Sequence, residues 1–93
     1  MKVTPDVIRE EFIGTTAQVT GSLHAGYLGV GGEVIAETRN TFTVSQEGAA
    51  KCVVKEQAVF QFQFSDGTIV EIDGKLLVGK PEDRLKKQVK RLW

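Results

Sequence analysis

Phe60, Phe62 and Phe64 alternate with Gln61 and Gln63 in the stretch Ala58–Val78, and this alternation restricts the fold more than any other feature. One face of such a segment is aromatic and the other wet, the period-two pattern of a half-buried strand. Ser65-Asp66-Gly67 interrupts the run, and Thr68–Ile72 resumes it as a second strand. A two-residue turn at Asp66-Gly67 would set Phe62 opposite Glu71, a poor pair on a buried face. A three-residue loop with Gly67 left-handed sets Phe62 opposite Val70 and Phe60 opposite Ile72. A slip of one residue exchanges the faces of a whole strand, so burial selects the longer loop and a bulged hairpin.

Upstream, Thr4-Pro5-Asp6 reads as a helix start, with a capping residue, a proline suited to the first helical position and an acid at the positive end of the dipole. Ile8 and Phe12 lie one turn apart, and Gly14 fits a left-handed stop, so a short amphipathic helix is predicted over residues 5–13. Thr15–Gly21 alternates as a first strand. The eleven residues Ser22–Gly32 form a glycine-rich loop, long for a chain of this size and therefore a candidate working loop. Its glycines lack the spacing of a phosphate-binding loop and precede a strand rather than a helix, so they read as permissive turn residues. His24 and Tyr27 within it are weak candidates for stacking on a base.

Gly32–Thr38, Thr41–Gln46 and Ala50–Lys55 are the next strands, joined by turns at Arg39-Asn40 and Glu47-Gly48. In the last of them Cys52 and Val54 are expected to face the core, with Lys51, Val53 and Lys55 outside. Leu76–Val78 extends the final strand or bends away at Asp73-Gly74. A second helix is predicted over residues 81–91, again with proline first and acids in its first turn. Its apolar stripe is Leu85, Val89 and Leu92. Short strands at even spacing with helices only at the ends predict an all-β fold. It is a small Sm-like or SH3-like antiparallel barrel of five to six strands over residues 15–78, with short N- and C-terminal helices.

The 93 residues are expected to form one domain, residues 1–93, with room for one modest core and none for a separate catalytic domain. There is no apolar run long enough to span a bilayer and no charged-then-apolar leader, so a soluble cytoplasmic protein is expected. Cys52 is the one cysteine and His24 the one histidine, which rules out an internal disulfide and a four-ligand zinc site built by this chain. A Cys52–His24 nucleophile pair conflicts with Cys52's predicted place in the core. Asp66, Glu71 and Asp73 offer carboxylates for Mg²⁺, yet Asp66 and Asp73 each precede a glycine and are explained as turn residues. The residues describe a binder without catalytic groups or a cofactor of its own.

Net charge is zero, but its distribution is uneven. Seven basic residues against two acidic ones make Lys75–Trp93 +5 and leave Met1–Gly74 at −5. Asymmetry of this kind points to a polyanion partner, although a solvated basic helix is the plainer reading of composition alone. Lys and Arg contacts to phosphate give affinity without sequence information. About five neutralised phosphates would give a slope of about −4 for log K against log salt by the duplex rule.

Three stretches are similar to the archaeal ribonuclease P protein component 1 family: PDVIREEFIG at Pro5–Gly14, EVIAETRNTFTV at Glu33–Val44, and AVFQFQFSDGTIVEIDGKLLVGKPEDRLKK at Ala58–Lys87. The third is the most specific, and together they cover nearly the whole chain in order. The resemblance implies an Sm-like barrel that serves as an RNA-binding protein subunit of ribonuclease P, the ribonucleoprotein that removes the leader from precursor tRNA. In that family the RNA is the catalyst, so the protein is non-catalytic by itself and Mg²⁺ is expected at the RNA of the holoenzyme. The implied partners are the ribonuclease P RNA, a small zinc-ribbon protein subunit and, indirectly, precursor tRNA, with a monomer in isolation. By position, Arg39, Lys51, Lys55, Lys75, Lys80, Arg84, Lys86, Lys87, Lys90 and Arg91 become RNA-contact candidates, and Ile8, Phe12, Leu85 and Val89 candidates for covering by the protein partner. The chain departs from the pattern in being neutral where strongly basic members are expected, and in its glycine-rich GYLGVGG loop. The alternative is a protein-binding barrel adaptor that makes no direct RNA contact.

Overall fold

The computed structural model describes residues 3–22 and 24–84. Six strands, β1 (Thr16–Ser22), β2 (Gly31–Glu37), β3 (Thr41–Gln46), β4 (Ala49–Val54), β5 (Ala58–Gln63) and β6 (Ile69–Asp73), make one antiparallel sheet in the order β4-β3-β2-β1-β5-β6. The fold is therefore all-β, as the strand spacing predicts.

The hairpin β5–β6 adopts the three-residue loop. Phe62 pairs with Val70 and Phe60 with Ile72, and Gly67 sits at φ 87°. The Phe64 amide donates to the Thr68 carbonyl at 2.9 Å, and the Thr68 amide donates to Asp66 Oδ1 at 2.9 Å, so Asp66 serves the turn.

The sheet is strongly curled. Phe42 on β3 and Phe60 on β5 are separated by two intervening strands, which in a flat sheet would hold them about 14 Å apart. Their ring centres are 5.3 Å apart, and Phe42 reaches Phe62 at 5.7 Å. All five phenylalanines are buried inside this curl with Ala17, Val19, Val34, Val44, Val53, Val70 and Ile72. No pairing of β4 with β6 occurs among the described residues. The ends approach instead through two 3-10 turns, Lys55–Gln57 after β4 and Gly74–Leu77 after β6. A Cβ on Gly74 would overlap the Lys55 carbonyl oxygen, so glycine permits this closure. The chain thus bends away at Asp73-Gly74, and Asp73 Oδ1 caps the turn by accepting from the Lys75 amide at 3.0 Å.

Two expectations are corrected. The N-terminal helix is a 3-10 helix, Pro5–Arg9, shorter than residues 5–13, and Thr4 gives it no side-chain cap. The chain then extends so that Phe12 inserts between Phe42, Phe62 and Phe64. Burial of one large ring outweighs a helix too short to persist alone. Strand β4 has the opposite facing to that expected, with Val53 buried and Cys52 exposed. The two-residue turn Glu47-Gly48 fixes its register, placing Val53 opposite the inward Phe42 and Cys52 opposite Thr43. The C-terminal helix α1 is described only over Pro81–Arg84; the rest of the predicted helix, including Leu85, Lys86, Lys87, Val89, Lys90 and Arg91, lies outside the described residues.

Candidate functional site

Where a charge ends up on this barrel depends on the register of the strand carrying it. Strand β2 pairs with β3 regularly through Val34–Val44, then shifts by one residue before Ala36–Thr43 and Glu37–Phe42. Such a bulge re-aims the side chains beyond it. Ile35 is left on the surface, and Glu37 falls on the same face as buried Phe42. On β4 the inward parity of Val53 continues to Lys55. The first turn of α1 then brings in Arg84.

These three side chains, Glu37, Lys55 and Arg84, meet with no exposure to solvent. Lys55 Nζ donates to Glu37 Oε2 at 2.6 Å and to the carbonyls of Thr38, Arg39 and Gly79 at 2.8, 3.2 and 3.0 Å. Arg84 grips the same carboxylate with two nitrogens, Nη1 to Oε2 and Nη2 to Oε1 at 3.0 Å, and Nη1 also donates to the Leu77 carbonyl at 3.2 Å. The Lys55 ammonium lies 4.7 Å from the centre of the Phe42 ring, and the Arg84 guanidinium 5.0 Å from that of Phe12. Two cations thus share one carboxylate, and aromatic faces take up part of the excess positive charge.

Two of the expected RNA contacts, Lys55 and Arg84, do not lie on the surface. Both are enclosed: Lys55 donates to Glu37 and three backbone carbonyls, and Arg84 holds Glu37 through Nη1 and Nη2 while its buried Nε has no hydrogen-bond partner among the described residues. Ile8 and Phe12, expected to be covered by a protein partner, are covered by this chain's own core. Val7, not singled out by the sequence pattern, is buried beside them.

Arg39, Lys51, Lys75 and Lys80 are exposed. Arg39 and Lys80 come from distant parts of the chain to one corner. The Gly79 amide donates to the Arg39 carbonyl at 2.7 Å, and both residues' carbonyls accept from Lys55. The chain carries twelve basic and twelve acidic side chains, so its positive surface is local. Tyr27 packs against the core, and its hydroxyl accepts from the Val54 amide at 3.4 Å. His24 lies beside it, with ring centres 5.2 Å apart. Tyr27 therefore anchors the glycine-rich loop. Among the described residues no helix is long and apolar enough to cross a membrane.

A barrel with this geometry fits a known group of proteins. The family model described as Ribonuclease P/MRP, subunit p29 matches residues 5–87. The chain belongs to that family. Its role accordingly lies with ribonuclease P. Ribonuclease P protein component 1 of Methanococcus maripaludis is 42% identical, over 98% of this chain and 98% of its own length. The Methanocaldococcus jannaschii protein of the same name is 40% identical, over 98% of this chain and 97% of its own. The Pyrococcus furiosus protein of that name is 42% identical over 89% of this chain but 65% of its own longer one. Among solved structures, Mth11, described as a homologue of human RNase P protein Rpp29, superposes with a TM-score of 0.61 at 41% identity. It covers 81% of this chain and 97% of the Mth11 chain. In this member of the p29 family the alternating phenylalanines lie on β5, the SDG loop joins β5 to β6, and PEDR forms α1.

Proposed function

We propose that this chain is an RNA-binding subunit of ribonuclease P that supports the catalytic RNA in removing the leader from precursor tRNA. The observation that carries the reading is the family match over residues 5–87. The corner formed by Arg39 and Lys80, with exposed Lys75 and Lys51 elsewhere on the barrel, supplies phosphate-binding groups. Lys86, Lys87, Lys90 and Arg91 follow in sequence and add the densest charge. Because the chain is neutral overall, the isolated subunit binds RNA modestly and depends on assembly with a second, zinc-ribbon protein subunit. Mg²⁺ belongs to the RNA, and the complex works in the cytoplasm. Reconstitution tests this directly. Omitting the chain should lower precursor-tRNA cleavage at limiting magnesium, and unchanged cleavage would reject the reading.

A second reading, a barrel adaptor that binds only protein, draws on the exposed side chains of Ile13, Ile35 and Ile69 and on the chain's net charge of zero. Salt-independent association with a protein subunit, without retention of RNA, would favour it.

A further inference from the structure

One residue holds the turn between β2 and β3 from beneath. Lys55 donates its backbone amide to the Asn40 carbonyl at 2.8 Å, and its ammonium to the carbonyls of Thr38 and Arg39 at 2.8 and 3.2 Å. Three consecutive carbonyls therefore point inward. A two-residue turn ordinarily closes with its fourth amide on its first carbonyl. Here the Thr38 hydroxyl takes the Thr41 amide at 3.1 Å, which leaves the Thr38 carbonyl to Lys55. The peptide bonds are all trans, and a trans peptide sets its N–H opposite its C=O. With the Thr38 and Arg39 carbonyls turned in, the amides of Arg39 and Asn40 are turned out. Neither has an acceptor among the described residues, and both residues are exposed. Lys80 is brought alongside by the 2.7 Å bond from the Gly79 amide to the Arg39 carbonyl. Among the described residues neither Arg39 nor Lys80 is in an ion pair. Beneath them Lys55 and Arg84 share one carboxylate, which leaves one excess positive charge. Outward amides, two unpaired cations and a positive floor together favour an anion.

We infer that the backbone amides of Arg39 and Asn40 donate to phosphate oxygens of RNA, beside the Arg39 and Lys80 side chains, and that Lys55 is the positioning residue of this site. The inference rests on the RNA-binding reading above and deepens it, since it assigns phosphate contacts to main-chain donors that no inventory of basic side chains reveals. Lys55 has no exposure of its own and acts by keeping the carbonyls in. An amide carries no net charge, so it adds affinity without displacing counterions, whereas Arg39 and Lys80 add affinity that salt erodes.

Two measurements on the full-length protein test this. Isotope-labelled protein is followed by NMR as ribonuclease P RNA is added, and affinity is measured across a salt series. The Arg39 and Asn40 amide protons should move downfield on binding, while that of Thr41, already bonded to Thr38, should stay. Inorganic phosphate at the same concentration should leave them in place; an equal shift would overturn RNA as the ligand. Amides that stay put while RNA binds overturn the site and leave the RNA-binding reading intact. A protein that binds no RNA overturns both. Arg39→Gln with Lys80→Gln should make log K against log salt shallower by about 1.4, two single-strand phosphates at about 0.7 each, yet keep the amide shifts at saturation. Lys55→Met leaves Glu37 paired with Arg84 and every exposed cation in place. Checked as folded by circular dichroism, it should lose the amide shifts and bind about tenfold more weakly, the loss of a charge-assisted bond, at an unchanged slope. Wild-type affinity, or a slope that falls with the affinity, overturns the positioning role. Should Lys55→Met fail to fold, Asn40→Pro removes one of the two amides and no charge. Weaker binding at an unchanged slope supports the site, and wild-type affinity overturns it.

Discussion

Arg84 and Glu37 lie 47 residues apart in the chain and meet as a two-pronged ion pair from which solvent is excluded on both sides. Lys55 occupies the remaining side of the same carboxylate. Removing Glu37 would strand two buried cations, whereas removing Arg84 leaves a neutral pair. Glu37→Gln should therefore cost about 3–5 kcal/mol, a large share of the roughly 5–14 kcal/mol expected for a chain of this length. Arg84→Leu should cost clearly less. Urea melts of the two variants check the order; equal losses would mean that the two cations are not sharing one partner.

Phe12 belongs to the barrel's interior. Its ring centre is 4.4 Å from that of Phe62, and its face carries the Arg84 guanidinium. Phe12→Ala should destabilise the isolated protein by about 3–5 kcal/mol. A side chain kept for a partner would show its loss only in the complex, so an unchanged melt of the isolated variant would contradict the packing seen here.

Cys52 faces solvent from β4. In native buffer it should react stoichiometrically with a small disulfide reagent, at a rate that urea raises little. Cys52→Ser should alter stability by less than about 0.5 kcal/mol. Slow labelling limited by global unfolding would restore it to the core.

Glu47 is a non-glycine residue with positive φ, 51°, followed by Gly48 at 82°. Both central residues of this two-residue turn are left-handed, the geometry that favours Asn-Gly over Glu-Gly. Glu47→Asn should raise stability by up to about 1 kcal/mol, read as a higher midpoint in urea with unchanged slope.

Gly74 is where the turn after β6 meets the turn after β4. Adding one methyl group drives it into the Lys55 carbonyl. Gly74→Ala should cost about 3 kcal/mol or more, while Gly26→Ala, which meets nothing nearby, should cost little. A thermal melt that ranks them the other way would show that the two turns do not close the barrel.

The barrel was legible because its strongest signal is local. The alternating phenylalanines and the SDG loop decide faces and register within fewer than twenty residues, and the observed pairing of Phe62 with Val70 follows from burial alone. The same logic misplaces β4 because Cys52 and Val54 look more apolar as a pair than Lys51 and Val53. The facing is set one turn earlier, by Glu47-Gly48 locking Val53 to Phe42. The charged cluster was illegible for a different reason. Lys55 and Arg84 are ordinary surface residues by type, and they are buried because a bulge near Ile35 turns Glu37 inward. No periodicity announces a bulge, and nothing in the local sequence pairs position 37 with 55 and 84. The cations of Arg39, Lys51, Lys75 and Lys80, by contrast, were expected on the surface and are exposed there.

Two positive groups leaning on a single negative one leave little freedom for change at any of the three places separately. A neutral replacement at 37 strands its neighbours, whereas one at 55 or 84 removes only half of the grip. Positions 37, 55 and 84 therefore form one heritable unit. Descendants of this gene are expected to keep all three or to exchange them together for oily side chains, and they should seldom pass through the halfway forms.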